Sequence, residues 1–347
     1  MGWAATRVRE CAVGDGAPDL VVQLEGPGDE RALLLFEASR SAYPRDVRAA
    51  MARVCRWSAR GVVVFVAPFL GVRAQSILAE AGVGYLDLTG NVRVSVTSPA
   101  FFLSDRGASV NPWPEAGQLR SLAGAAAARV VRTLCDVVPP YGAAELAERA
   151  GVSPGYVSKI LAALVREDLI ERRPRGPVVG AAWRQLLEAW ARDYDLLRSN
   201  VARLYLAPRG LDDVLARLRG MPEDVRAMCV LTGSAAAARI APVAPTTRLC
   251  CYAADALSLA GTLGLVPADS AGNVFLLEPF DPVVFERTVD ADGLTYVAPT
   301  QAAVDCLTGP DRMPEEGLAL LDWMERNERK WRASSSGSRA SSGRREP

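Results

Sequence analysis

The stretch that decides the fold is residues 143–176, AAELAERAGVSPGYVSKILAALVREDLIERRPRG. Apolar residues after Pro154 recur every three or four positions, which predicts a helix with one buried face: Val157, Ile160, Leu161, Leu164 and Val165. Ser153 is a residue type that caps helix N-termini, and Pro154 suits the first helical turn because its missing N–H needs no partner there. The sequence therefore predicts a helix that begins at about residue 154.

A shorter helix is predicted just before it, over AAELAERA. Ala147 is small enough to let two helices cross closely, and Gly151 can adopt the positive φ of a tight turn, with Val152 and Val157 filling the junction. The following segment, EDLIERRPRGPVVGAAW, has the pattern of a strand, a basic tip and a returning strand. Together these features resemble the helix-turn-helix and wing of winged-helix bacterial regulators, which predicts a winged helix-turn-helix domain over residues 113–182.

The resemblance implies binding to double-stranded operator DNA. The outer face of the second helix is small and hydrogen-bonding, so we expect Tyr156, Ser158 and Lys159 to reach base edges or flanking phosphates. Ser153 would meet a phosphate at the helix N-terminus. The wing residues Arg172, Arg173 and Arg175 would bind phosphates or an adjacent minor groove. The alternative is an ordinary helical hairpin whose outer face is only solvated.

A seven-residue repeat of apolar positions follows the wing: Trp183, Leu187, Trp190, Tyr194, Leu197, Val201 and Leu204. This stripe predicts one long helix over residues 183–206. The helix could pair with a second copy, giving a homodimer that reads a palindromic operator, or it could connect domains within one chain.

Residues 1–112 alternate short apolar runs with amphipathic helices, which predicts an α/β domain. The segments PDLVVQLEG and ALLLFEASRS resemble the PD-(D/E)xK nuclease-like fold, in which two carboxylates hold Mg²⁺ and a lysine assists. Asp19 and Glu37 match the two metal positions, but Ser39 stands where the lysine belongs. The resemblance therefore implies a degenerate domain with vestigial metal positions and no bound metal.

Residues 207–331 are predicted to form a mixed α/β domain. Gly233 and Ser234 follow a strand at a helix start, as in the phosphate-binding turn of nucleotidyltransferase-like folds, but the next strand, TRLCCYA, lacks the metal-binding aspartates. Several segments of this region resemble the C-terminal part of AbiEi-type antitoxins, which implies autoregulation and a toxin partner as an alternative function. The Ser/Gly/Arg-rich residues 332–347 are predicted to be disordered.

The composition excludes several function classes. The chain of 347 residues has no histidine, 40 basic and 40 acidic residues, and seven cysteines, none of them in a C-x-x-C motif. His-dependent catalysis and a cysteine zinc site are therefore excluded, and no apolar run is long enough to span a bilayer, so we expect a cytoplasmic protein.

The sequence as a whole predicts a multidomain α/β plus α protein: an N-terminal nuclease-like α/β domain, a central winged helix-turn-helix and a C-terminal mixed α/β domain. The expected function is a dimeric repressor without a cofactor, whose outer domains bind a signal, a partner protein or a nucleic-acid effector. An antitoxin is the first alternative, and a metal-dependent nuclease the second.

Overall fold

A computed structural model describes residues 3–7, 17–28, 30–113, 121–226 and 228–334. The chain divides into two compact units, residues 1–118 with 161–168, and residues 119–160 with 169–347. Most of the predicted disordered tail, residues 335–347, lies outside the described residues.

The N-terminal unit contains a seven-stranded sheet whose strands lie side by side in chain order. The strands are β1 (Ala4–Arg7), β2 (Leu20–Glu25), β3 (Arg31–Ala38), β4 (Val62–Ala67), β5 (Gly84–Asp87), β6 (Val92–Val96) and β7 (Phe101–Asp105). The helices are α1 (Pro44–Val54) and α2 (Val72–Glu80), with a short 3-10 helix at Cys55–Trp57. The parallel pairs β3–β4 and β4–β5 are the ones that the two helices connect, and the remaining pairs are antiparallel.

Both faces of this sheet carry apolar clusters, because inward and outward residues of β3 and β4 are alike aliphatic or aromatic. One cluster joins Leu35 and Phe65 to residues of α1 and α2 such as Val47 and Leu78. The other contains Val64 together with residues of β2, β3 and β6. The predicted α/β character of this region is confirmed.

A winged-helix arrangement follows in the chain, and all of it except residues 161–168 belongs to the second unit. Its elements are α3 (Ala125–Asp136), β8 (Val137–Val138), α4 (Ala143–Ala150), α5 (Pro154–Arg166), β9 (Ile170–Arg172) and β10 (Val178–Ala181). β9 and β10 form an antiparallel hairpin, and Tyr141 bridges to Val178 beside it. The predicted order of helix, helix, strand, basic tip and strand is therefore observed.

The rest of this unit is a seven-stranded mixed sheet with helices. The helices are α6 (Trp183–Ala191), α7 (Leu211–Arg219), α8 (Glu223–Arg226), α9 (Ser234–Ile240), α10 (Ala256–Leu263), α11 (Pro299–Thr308), α12 (Met313–Arg326) and α13 (Glu328–Trp331). The strands are β11 (Val201–Leu206), β12 (Cys229–Thr232), β13 (Leu249–Ala253), β14 (Val266–Pro267), β15 (Val274–Glu278), β16 (Val289–Ala291) and β17 (Leu294–Tyr296). They lie in the order β14-β11-β15-β13-β12-β17-β16, and a 3-10 helix spans Pro282–Phe285.

The predicted helix over residues 183–206 is wrong. Helix α6 ends at Ala191, and residues 201–206 form strand β11, which pairs with β14 and β15. Side chains divert the backbone between them: Asp195 accepts hydrogen bonds from the N–H groups of Leu197 and Arg198, and Asn200 donates to the carbonyl oxygen of Leu196. Four of the seven stripe residues, Trp183, Leu187, Trp190 and Tyr194, are buried inside the chain, whereas Val201 is exposed.

Helix α3 is joined to the C-terminal region by buried polar contacts. The Arg132 side chain is fully buried and donates to the carbonyl oxygens of Val283 and Glu286 and to Gln301 Oε1, at 2.9, 3.2 and 3.2 Å. Asp136 accepts from Thr300 Oγ1 at 2.5 Å. Because a buried charge is costly unless its hydrogen bonds are made, these contacts fix the position of α3 against α11.

The boundary predicted for the disordered tail is also wrong at its first residues. The side chain of Arg332 is only 4% exposed and donates to carbonyl oxygens at the end of α3, and Ala333–Ser334 form strand β18 beside β8. The last carbonyl groups of a helix have no partner within the helix, and here an arginine from the far end of the chain supplies donors.

Candidate DNA-binding surface

The turn between α4 and α5 has the predicted geometry. Gly151 has a φ of 59°, in the left-handed region that favours glycine, and the N–H of Val152 donates to the carbonyl oxygen of Ala147 at 3.0 Å. Ala147 is 6% exposed and Val157 is 0% exposed, so small and β-branched residues fill the space where the helices cross. The prediction for this turn is confirmed.

The start of α5 is capped as the sequence indicates. Ser153 Oγ accepts a hydrogen bond from the N–H of Tyr156 at 3.3 Å, and Pro154 is the first residue of the helix. On the core side, Val157, Ile160 and Leu161 are fully buried and Leu164 is 2% exposed. Val165, predicted for the same core face, is only partly buried. This anchoring determines which side of α5 is left for solvent or a ligand.

The opposite side of α5 is exposed over its N-terminal half. Gly155, Ser158, Lys159 and Ala162 are all exposed. No carboxylate of the described residues lies within ion-pair distance of Lys159, so its charge is available to a ligand. Tyr156 is partly buried, and this burial raises the pKa of its phenol, which therefore stays a neutral hydrogen-bonding group near pH 7.

The wing places its arginines in two different roles. Arg172 is partly buried, and its Nε donates to the carbonyl oxygen of Gly176 at 2.8 Å, which closes the loop between β9 and β10. Arg173 and Arg175 at the tip are exposed. The predicted set of three wing contacts is therefore brought together in one hairpin, with two of the arginines presented to solvent and the third also holding the hairpin.

Sequence reasoning missed a further arginine of the helix-turn-helix, Arg129 on α3. Its guanidinium makes a two-pronged ion pair with Asp281, at 2.8 to 3.1 Å, and Asp281 is 3% exposed. Hydrogen bonding to Asp281 raises the pKa of Arg129. Residues 152 positions apart form this pair, so no local sequence signal could have shown that this cation is already engaged.

The vestigial metal positions of the N-terminal unit are occupied by protein contacts. The Glu37 carboxylate is 6% exposed and pairs with Arg53 of α1, while Asp19 accepts from the N–H of Ala38 at 2.8 Å. The two carboxylates thus lie at the same end of β3, as the resemblance implies. Glu37 is neutralised by an arginine rather than facing an open site. Within the described ranges, no group of three or more His, Cys, Asp or Glu side chains could hold a metal ion.

The turn at Gly233 and Ser234 is packed. Gly233 has a φ of 60°, Ser234 is 8% exposed, and a Cβ added to Gly233 would lie 2.4 Å from Met313 Cε. Helix α9, which follows, has only seven residues. This geometry indicates a tightly packed turn that needs glycine because a Cβ would clash with Met313, rather than an open phosphate-binding turn.

Comparison with known proteins finds a family match over the winged helix-turn-helix. Residues 125–175, from the start of α3 to the tip of the wing, match the model of the MarR family. No curated protein and no solved structure matches the chain. Among the described residues, no helix is both long and apolar enough to cross a membrane. The MarR match supports a winged helix-turn-helix and a DNA-binding transcriptional regulator.

Proposed function

We propose that the protein is a sequence-specific DNA-binding repressor that inserts the N-terminal half of α5 into the major groove. The observation that carries the proposal is the contrast between the two sides of α5. Four apolar residues on one side are at most 2% exposed, whereas Gly155, Ser158, Lys159 and Ala162 on the other are open. Small side chains let the helix approach base edges closely, and Ser and Lys supply hydrogen bonds there.

The wing and the helix would contribute differently to binding. Arg173 and Arg175 are exposed and would neutralise phosphates, which raises affinity for any DNA and makes binding sensitive to salt. Tyr156, Ser158 and Lys159 would read the sequence. The Ser153 hydroxyl accepts from the helix backbone and keeps its own O–H donor, so it would donate to a phosphate together with the free N–H groups of the first turn.

We further propose that the operator is palindromic and bound by a homodimer. Residues 153–184 contain six basic and three acidic residues, a modest positive charge for a single copy. Regulators of the MarR family usually act as dimers, which supports two half-sites. Because Trp183, Leu187, Trp190 and Tyr194 are buried within one chain, we place the dimer contact on another surface.

The test is binding to DNA upstream of the protein's own gene, across a salt series, with scrambled DNA as competitor. We expect competitor-resistant binding with two protected half-sites about one helical turn apart. Lys159→Ala should weaken specific binding by about tenfold or more without lowering the melting temperature, because Lys159 lies outside the core. Arg312→Ala, which removes an exposed cation of the C-terminal region, is the matched control.

A double variant of the wing tip separates the two kinds of contact. Arg173→Ala with Arg175→Ala should weaken binding to operator and scrambled DNA alike, and should flatten the salt dependence by about one unit of slope for each lost phosphate contact. Operator binding that is no tighter than binding to scrambled DNA would refute the proposed function. Normal operator binding by Lys159→Ala would show that α5 is not the reading element.

A further inference from the structure

A cavity of about 400 Å³ lies in the second unit where α3 ends beside α9, α11, α12 and α13. Its wall combines three cations, Arg239, Arg287 and Lys330, with two tryptophans, Trp323 and Trp331, and one carboxylate, Asp136. The volume is within the range of small-molecule sites, which start at about 300 Å³. The DNA-reading surface described above uses none of these residues.

The carboxylate of the cavity is already fully engaged. Asp136 is 5% exposed and accepts hydrogen bonds from Thr300 Oγ1 and Arg287 Nε, both at 2.5 Å. Arg132 Nη2, at 3.4 Å, adds a third contact. Asp136 therefore balances Arg287 and Arg132 and leaves no negative charge for the other cations of the wall.

Arg239 and Lys330 lack an acidic partner. Neither has a carboxylate within 4.0 Å among the residues that the structure describes, and each lies over an aromatic ring instead. Arg239 is 5.2 Å from the centre of the Tyr296 ring, and Lys330 is 5.9 Å from that of Trp323. Two unpaired cations facing one cavity repel each other, and a bound anion would remove that repulsion.

The tryptophans supply a second kind of contact. Trp323 and Trp331 are both partly buried, and Trp331 is held edge-on against Trp183 at 4.9 Å between ring centres. Trp331 Nε1 donates to the carbonyl oxygen of Met324 at 2.9 Å, which fixes its orientation. An indole held in this way offers a preformed apolar surface on which a flat ring can pack.

We propose that this cavity binds a small anion that carries a flat ring. Arg239 and Lys330 bind its phosphate or carboxylate, and the tryptophans contact its ring. A guanidinium and an ammonium bind phosphate and carboxylate oxygens through charge-assisted hydrogen bonds. The indoles add apolar contact with the ring, so a ligand with both groups should bind more tightly than one with either alone. Such a ligand would be in contact with Asp136, the last residue of α3, which is the first helix of the winged helix-turn-helix domain.

The experiment is calorimetric titration of the full-length protein without DNA, so its outcome is independent of the proposed operator binding. Adenosine 5′-monophosphate and benzoate represent ring-bearing anions with a phosphate and a carboxylate. Inorganic phosphate and adenosine represent the two halves alone. We expect one of the ring-bearing anions to bind saturably at one site per chain, at least about tenfold more tightly than either half. Which of the two binds identifies the anionic group.

Variants then locate the site. Arg239→Gln and Lys330→Gln should each weaken binding by about tenfold, because each removes a charge-assisted contact from an exposed side chain that the fold does not need. Arg209→Gln, at an exposed arginine just before α7, should leave binding unchanged. The proposal is overturned if neither ring-bearing anion binds saturably at millimolar concentration. It is equally overturned if the anion binds no better than phosphate, or if both cavity variants bind like the Arg209→Gln control.

Discussion

Arg332 offers the sharpest test of how the end of the chain stabilises the helix-turn-helix. Its guanidinium donates to the carbonyl oxygens of Cys135 and Val137, both at 2.8 Å, and of Leu134 at 3.3 Å. These oxygens lie at the C-terminal end of α3, where a helix leaves carbonyl groups without partners. Arg332→Ala should therefore destabilise the second unit.

The size of the effect follows from these contacts. A hydrogen bond to a charged group contributes about 1.5–3 kcal/mol. Water entering the space left by the arginine would, however, donate hydrogen bonds to some of the same carbonyl oxygens. We therefore expect the free energy of unfolding to fall by about 3 kcal/mol, well below the sum over three bonds. For a unit of this size that corresponds to a melting temperature about 6–12 °C lower.

Thermal unfolding followed by circular dichroism measures this change. Arg329→Ala is the matched control, because Arg329 lies on α13 and is exposed. Arg332→Lys should give an intermediate loss, since an ammonium keeps the charge but cannot span several carbonyl groups as a guanidinium does. Equal melting temperatures for Arg332→Ala and Arg329→Ala would refute the reasoning. They would favour the original prediction that the disordered tail begins at residue 332.

Three further predictions concern the core, the pH dependence and the N-terminal unit. Trp190→Ala should lower the free energy of unfolding by about 3–5 kcal/mol, because the ring is fully buried, and should leave the oligomeric state in ultracentrifugation unchanged; dissociation of a dimer without loss of stability would contradict the buried position. Burial raises the pKa of Asp305 to about 6 although four side chains donate hydrogen bonds to it. The folded protein then holds a proton that the unfolded chain has released, so the free energy of unfolding should fall by roughly 3 kcal/mol as pH rises from about 4 to 6. Urea unfolding should show this fall in the wild type, and a fall of equal size in Asp305→Asn would count against it. Arg53→Ala should destabilise the N-terminal unit by about 1–3 kcal/mol, because it leaves the buried Glu37 carboxylate without its cation; Mg²⁺-induced stabilisation of this variant would instead indicate a metal site.

The elements that were predicted from the sequence are those that depend on near neighbours in the chain. The repeat of Val157, Ile160, Leu161 and Leu164 has the helical period, and Gly151 can adopt a positive φ without steric cost, so both follow from local sterics. The same holds for the strands of the N-terminal unit, whose apolar runs are bounded by turn residues. The two exposed sides that would read DNA, on α5 and at the wing tip, were predicted for this reason.

The repeat over residues 183–204 shows where local pattern fails. VARLYL fits a heptad stripe and an alternating strand equally well, and the choice of strand depends on pairing with β15, about 70 residues further along the chain. Hydrogen bonds to a distant strand do not change the spacing of apolar residues, so the local pattern cannot reveal them. The helix is interrupted where the Asp195 and Asn200 side chains hydrogen-bond to the backbone. Asp and Asn can make such bonds or point to solvent, and the sequence alone does not distinguish the two.

The sequence by itself determined the winged helix-turn-helix, its turn, the exposed outer side of α5 and the α/β character of the flanking regions, because short-range periodicity and steric preference specify these. Only the tertiary structure decided which charges are free. It paired Arg129 with Asp281, Glu37 with Arg53 and Arg332 with the end of α3, and it left Arg239 and Lys330 facing one cavity. Electrostatic partners depend on distance in space, and these partners are 16 to 198 positions apart in the chain, beyond the three- or four-residue spacing at which a helix makes neighbours predictable.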